Sequence, residues 1–394
     1  MRLLWIATKP PAPPVDGGRL VALLTLQALA RQGVEITLVA PIPPGTQTAQ
    51  IEAVLAPLCR PRLVEASPRR RLACALGSLA GGPPVSIARH SSREVRAEVG
   101  RLLTSHRFQA VHAEQLQAFA QAQPGLAAGV PVVLRAQNVE SDLWLATSKQ
   151  RCWAGPCLAR EARRLAAYEA RVVRRAAAVL ALTEHDAARL RELAGSEHVG
   201  TLPPAFPSDL PPADRPLPGS PPVVLLGSGG WLPNREGASW FVNEVWPEAR
   251  KGSPGAVLHL FTGASDRPKS GTEGIVLHPP PAESREAFAP GSILVVPLRI
   301  ASGIRMKILE AWARGVPVVA TPEAAMGAPA KDRGNLLLAT ESAAFSRAIA
   351  ELAGDAELWS RLVRNGREAL RKCFDPGSIA ERLLAVYRGH PPTR

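Results

Sequence analysis

Nine of the 22 residues between positions 201 and 222 are proline. Proline fixes its own φ and donates no backbone hydrogen bond, so neither a helix nor an inner strand can run through so dense a stretch. The segment reads as a linker, and it splits the chain into two parts that must each find a core. At 394 residues the chain is in any case too long for one ordinary core. On both sides of the linker, short β-branched apolar runs alternate with amphipathic ones. That rhythm predicts an α/β fold with two doubly wound domains.

In the first part, residues 3–7 read as a buried strand and residues 8–18 as a proline-rich loop closed by Gly17 and Gly18. An amphipathic helix over 19–31 and a strand over 35–40 follow. These glycines do not spell GxGxxG, so no nicotinamide or flavin cofactor is expected. They could let an acceptor or a donor phosphate approach the helix end, or could simply turn the chain. Residues 110–113 and 131–136 read as two more strands. His112, Glu114, Gln137, Asn138 and Glu140 then fall where loops leave the C-terminal ends of parallel strands, the edge at which open α/β sheets bind ligands. A long helix over 158–175, a strand over 178–182 and a helix begun by Thr183 complete this part.

After the linker, a strand over 223–226 leads into GSGGWLPN, residues 227–234, where Gly229 and Gly230 leave backbone N–H groups able to face an anion. Asn234 is placed to cap a helix over 235–245. Strands are expected over 257–262, 275–277, 292–297, 316–320 and 335–338, and terminal helices over 342–352, 355–373 and 378–388. The most informative stretch is 291–321, read as strand, tight loop, helix, strand. Arg299, Arg305 and Lys307 gather around the loop, and Glu310 follows Lys307 by three positions. A helix N-terminus already favours an anion. Further cations there suit a diphosphate, and a carboxylate beside it can accept hydrogen bonds from the two hydroxyls of a ribose. The bland alternative is an ordinary i,i+3 surface pair of Lys307 with Glu310.

The formal charge of +13 fits phosphorylated ligands, a membrane surface or nucleic acid. Nucleic acid is disfavoured, because aromatics are 5% of the chain and no zinc-finger or RNA-binding motif is present. The five cysteines form no CxxC pair, which points to free thiols in a reducing, cytoplasmic setting. The first residues do not read as a signal peptide, and no apolar run reaches the roughly 18 residues of a membrane span. Arg69-Arg70-Arg71 precedes an apolar segment ending at Leu79. Such a piece can lie on an anionic lipid surface from one side, or can be a solvated helix face.

Four motifs carry a family likeness: residues 11–18, residues 137–141 (QNVES), residues 227–234, and residues 297–321. In them the chain resembles the retaining glycosyltransferase family 4, the "group 1" transferases of GT-B architecture, in the branch with PLRxGSGxRxKxLEA. The resemblance implies two Rossmann-like domains facing across a cleft. Residues 1–202 would bind the acceptor, 203–222 would link, and 223–374 would bind a nucleotide-sugar donor, with a last helix within 375–394 returning to the first domain. It implies that Glu310 holds the ribose and that Arg305 and Lys307 stabilise the departing diphosphate. Ser302, Gly303, Ile304, Gly229, Gly230, Asn234 and Arg299 would complete the donor site. Gly17 and Gly18 would approach phosphate and acceptor, with Asn138, Glu140 and Glu114 nearby. Two positions depart from the pattern. The first glutamate of the family's E-x7-E element falls at Ser302, and the family histidine that contacts the sugar falls at Gln137, which has no proton titrating near neutral pH.

Such a site would work by front-face substitution, with a departing phosphate oxygen taking the acceptor proton. Positioning and charge stabilisation would supply the catalysis, with neither metal nor cofactor. The nucleotide-sugar is a co-substrate, and the acceptor is a glycan, a lipid-linked precursor or a small molecule. Bacterial surface polysaccharide is the default setting and secondary metabolism the alternative. The rivals are a nucleotide-sugar-binding protein without activity, a periplasmic-type receptor and a GT-B epimerase.

Overall fold

A computed structural model describes residues 1–67, 71–149, 155–227, 232–263, 273–281, 283–300 and 303–392. The chain forms two compact units, Met1–Ala205 together with Pro376–Arg394, and Phe206–Asp375.

Unit 1 is built on β1 (Arg2–Ile6), β2 (Glu35–Ile42), β3 (Arg60–Glu65), β4 (Ala110–Glu114), β5 (Val132–Ala136), β6 (Ala178–Ala181) and β7 (Val199–Thr201). The strands are all parallel, in the order β3-β2-β1-β4-β5-β6-β7. The period of two sends alternate side chains of β1 to opposite faces. Leu4 and Ile6 join Val111, Leu134 and Val179 in one core, with Val99 and Leu165 from covering helices. Leu3 and Trp5 join a second, closed by Leu26 of the Gly17–Arg31 helix and Leu383 of the Pro376–Tyr387 helix. Full burial of such a side chain stabilises by about 1.5–3 kcal/mol. The last helix therefore completes the face of the sheet that the first helix begins.

Unit 2 carries β8 (Pro222–Leu226), β9 (Val257–Phe261), β10 (Ile275–His278), β11 (Ile293–Val296), β12 (Val318–Ala320) and β13 (Leu337–Leu338). They are parallel in the order β10-β9-β8-β11-β12-β13. Much of the proline-rich segment lies along this unit by backbone bonds: Phe206 N–H to Phe374 O, Leu210 N–H to Ala313 O and Ala213 N–H to Phe288 O, at 2.8, 3.1 and 2.9 Å.

Several elements differ from expectation. Strand β3 was not foreseen, because Arg60-Pro61-Arg62 interrupts its apolar pattern; it is an edge strand with no fully buried residue. The first helix starts at Gly17, capped by Asp16 through Arg19 N–H, so both glycines are its opening residues and do not close a loop. His112 and Glu114 lie inside β4, with Glu114 its last residue. A helix, Glu140–Lys149, begins immediately after Val139. Asn234 does not cap a helix from 235, because that helix already runs from Leu232 and places Asn234 in its first turn. The helix then passes into a π-turn over Phe241–Val245.

Candidate functional site

In each sheet the strand order reverses once, between β1 and β4 and between β8 and β11, and polar groups collect at those switch points.

In unit 2 the chain leaves β11 and turns at Gly303, whose φ of 69° suits glycine. Ile304 is buried, and Arg305 stands at the N-cap position of the Met306–Arg314 helix without capping it by a side-chain bond. Lys307 reaches across to the end of β8, where Nζ donates to the Leu226 carbonyl at 2.5 Å. The residue is half-buried, and its ammonium is desolvated. That burial, with Arg305 beside it, pulls its pKa down to about 7. Glu310 is 5% exposed and does not pair with Lys307. Its Oε1 accepts from Arg314 Nε and Nη2 at 2.9 and 2.8 Å and from Ser284 Oγ at 2.5 Å. The i,i+3 surface pair is therefore absent. The helix is fixed from behind by Trp312, whose Nε1 donates to Asn335 O at 2.8 Å, and it ends at Gly315 with φ 73°. Arg299 is exposed, its guanidinium 5.5 Å from the centre of the Trp240 ring. Asn234 is buried. Gly229, Gly230 and Ser302 lie outside the described residues.

In unit 1 a continuous hydrogen-bonded chain runs beneath the switch point. The Tyr387 hydroxyl meets His112 Nδ1 at 2.7 Å, and His112 Nε2 meets Glu114 Oε2 at 3.0 Å. Gln137 Nε2 donates to Glu114 Oε1 at 2.7 Å and to Gly18 O at 3.1 Å. Gln115 Nε2 donates to Gln137 Oε1 at 2.8 Å, and Thr8 Oγ1 donates to Gln115 Oε1 at 2.8 Å. Burial keeps His112 neutral by lowering its pKa. It opposes charge on Glu114 too, but His112, Arg135 and Gln137 outweigh it and hold that carboxyl below its ordinary value. The neutral imidazole then donates from Nε2 and accepts the phenol proton at Nδ1. Around Asp16, burial likewise resists ionisation, and Lys9 at 2.7 Å with the Arg19 N–H prevails to hold its carboxyl low.

Gly17, Gly18, Gln137 and Glu114 are thus brought together. Asn138 and Glu140 sit further along the chain; Glu140 opens the next helix, and burial raises its pKa against a hydrogen bond from Gln117. Sequence reasoning missed Gln115, Thr8 and Tyr387. Gln115 has φ 73° and ψ 155°, a conformation costly for a side-chain-bearing residue, and no sequence pattern announces it. His112 and Glu114 two apart on a strand could have signalled a shared face.

Among the described residues no three His, Cys, Asp or Glu side chains are grouped to hold a metal ion.

Two doubly wound α/β units, each with its polar groups at the switch point, define the GT-B class, and solved structures of that class match along the whole chain. HepE of Anabaena in complex with UDP-glucose matches with a TM-score of 0.67 at 16% identity, over 99% of this chain and 100% of that one. Sucrose-phosphate synthase from Thermosynechococcus elongatus matches at 0.68 and 17%, over 98% of each. A mutant of S. aureus TarM in complex with fondaparinux, alpha-GlcNAc-glycerol and UDP matches at 0.71 and 9%, over 98% and 99%. At these identities the likeness is one of fold. No curated protein matches the chain in sequence. The family assignment comes from the sequence itself. Residues 16–205 match the glycosyl transferase 4-like domain and residues 221–355 match the glycosyl transferases group 1, so most of the chain is covered. The chain belongs to this glycosyltransferase family.

Proposed function

We propose that the protein is a retaining glycosyltransferase. It moves a sugar from a nucleotide-diphosphate donor to a glycan, lipid-linked or small-molecule acceptor, with bacterial surface polysaccharide synthesis as its setting. One observation carries the donor side: the cation Lys307 is buried on a carbonyl, with no described carboxylate in salt-bridge range, while the nearby Glu310 is neutralised by Arg314. A buried amine without a counter-charge has its pKa lowered and takes up its proton fully only when an anionic ligand arrives. Unit 2 is accordingly the donor domain and unit 1 the acceptor domain. HepE with UDP-glucose and TarM with UDP favour uridine as the nucleoside.

In the reaction the C1–O bond to the diphosphate loosens to an oxocarbenium-like state while Arg305 and Lys307 hold the departing charge. The acceptor oxygen bonds to C1 on the same face, and its proton passes to a departing phosphate oxygen. Gln137, whose two amide hydrogens go to Glu114 and the Gly18 carbonyl, orders the acceptor side of the reaction, and no dedicated base or metal takes part. Incubation with UDP-, GDP- and dTDP-sugars and a lipid acceptor fraction should release nucleotide diphosphate, and a chelator should not stop it. Alanine at Arg305 or Lys307 should raise the barrier by about 2–4 kcal/mol. Unchanged turnover in either folded variant would remove the role given to that residue.

A second reading has an observation in its favour. Both Glu114 and the Gly18 carbonyl accept from the Gln137 amide, and the residue cannot shuttle a proton. A donor-binding protein without turnover would bind the same nucleotides and release nothing.

We further propose a cytoplasmic protein that lies peripherally on an anionic membrane. The Arg71–Leu79 helix turns Cys74 and Ser78 inward and leaves Leu72, Leu76 and Leu79 at 72%, 59% and 63% exposure. Ser78 donates to Glu161 Oε2 at 2.8 Å and also accepts from Arg164, on a helix that carries exposed Arg160 and Arg163. Exposed leucines suit acyl chains, and exposed arginines suit anionic headgroups. Residues 69 and 70 of the arginine triplet lie outside the described residues.

A further inference from the structure

Oε1 of Glu310 receives three hydrogen bonds, two from the Arg314 guanidinium and one from Ser284 Oγ. A carboxylate oxygen has about two lone-pair sites, so Oε1 is saturated. Oε2 receives none from the described residues. The donors are themselves held. Arg314 Nη1 donates to the Pro211 carbonyl, and its guanidinium lies 5.7 Å from the centre of the Phe288 ring. Pro211 is fixed in turn by Leu210 N–H on Ala313 O and Ala213 N–H on Phe288 O. Ser284 opens a short helical turn closed by a Glu283–Glu286 capping box.

We propose that Ser284 and Arg314 are positioning residues that occupy one oxygen of Glu310, so that Oε2 alone reads both ribose hydroxyls of the donor nucleotide. The proline-rich segment at Pro211 is then part of the support of the nucleotide site. This rests on the donor-site reading of Glu310. A planar guanidinium locked on three sides sets the rotation of the carboxylate plane, which a flexible lysine at 314 could not do. Precise aim matters because a hydroxyl bond to a charged acceptor weakens steeply with angle.

The test is calorimetric binding of UDP and GDP, each against its 2′-deoxy counterpart, with inorganic pyrophosphate as a ribose-free control. The native protein should prefer the ribonucleotide about tenfold or more, the value of one hydrogen bond to a charged group. Arg314→Met and Ser284→Ala should shrink that preference toward unity while pyrophosphate affinity stays the same. A merely structural loss would weaken all probes together. If Arg314→Met fails to fold, Ser284→Ala carries the test. Variants that keep the native preference, or a native protein that binds nucleotide with no preference, overturn the inference and leave the donor-site reading standing. A native protein that binds none of the probes overturns both.

Discussion

Lys307 and Arg314 lie seven residues apart and on opposite sides of the same assignment. Arg314 neutralises Glu310 in a bidentate pair, whereas Lys307 is left on a carbonyl. The sequence shows Lys307, Glu310 and Arg314 as three charges on one helix and cannot say who pairs with whom. The i+3 and i+4 partners of a helical residue are equally close. What decided it was the reach of lysine to Leu226 O, a contact 81 positions away. Gly18 is the second residue whose role is set at atomic scale. A Cβ there would lie 2.7 Å from Gln137 Oε1 and 2.8 Å from Gln115 Nε2, both already hydrogen-bonded. Gly18→Ala is expected to push the Gln137 amide off its partners and reduce kcat about tenfold or more, with donor binding unchanged. Native turnover in that variant would show that the placement of Gln137 is irrelevant to the reaction.

Among elements, strands with an unbroken apolar run were the legible ones. β11, predicted over 292–297 and found at Ile293–Val296, is a continuous apolar run with nothing to confuse it. β3 and the three-residue β7 were not legible, because Arg60-Pro61-Arg62 breaks the apolar run of the first and Val199 is the one large apolar residue of the second. The Glu140–Lys149 helix was missed for a different reason: its N-terminal cap comes from another helix. Glu169, on Gly155–Arg175, accepts from Glu140 N–H at 2.7 Å and Ser141 N–H at 3.2 Å. Burial raises the Glu169 pKa to about 7 despite those donors. A carboxyl so raised contributes stability that is full below its ordinary value and is lost as pH rises through about 7. Glu169→Gln cannot ionise. Its stability relative to native, from denaturant unfolding, should therefore improve by about 1–3 kcal/mol between pH 5 and pH 8. A difference that stays flat over this range would contradict a buried, titrating cap.

At the scale of the whole molecule, the two units repeat one plan, and the plan was visible in the βα rhythm on each side of the prolines. The tie of Tyr387 to His112 was not, since it joins positions 275 apart by a single hydroxyl. No helix of the described residues is long and apolar enough to cross a membrane. The lipid contact proposed for the Arg71–Leu79 helix has a direct test. Vesicles with anionic lipid should sediment the native protein and neutral vesicles should not, and Leu72→Asp with Leu76→Asp should abolish the difference; equal binding to both vesicle types would rule it out. The central claim is that the helix head at Arg305 and Lys307 receives a diphosphate. A depressed lysine must regain its proton when a dianion arrives, so binding near pH 8 should take up about one proton. The deciding measurement is calorimetric titration of UDP, GDP or dTDP, whichever stabilises the protein most, at pH 8 in two buffers of different ionisation enthalpy. The account predicts uptake of about one proton by the native protein and almost none by Lys307→Arg, whose charge is permanent. Tight binding with no proton uptake by the native protein, or no binding of any of the three, would contradict it.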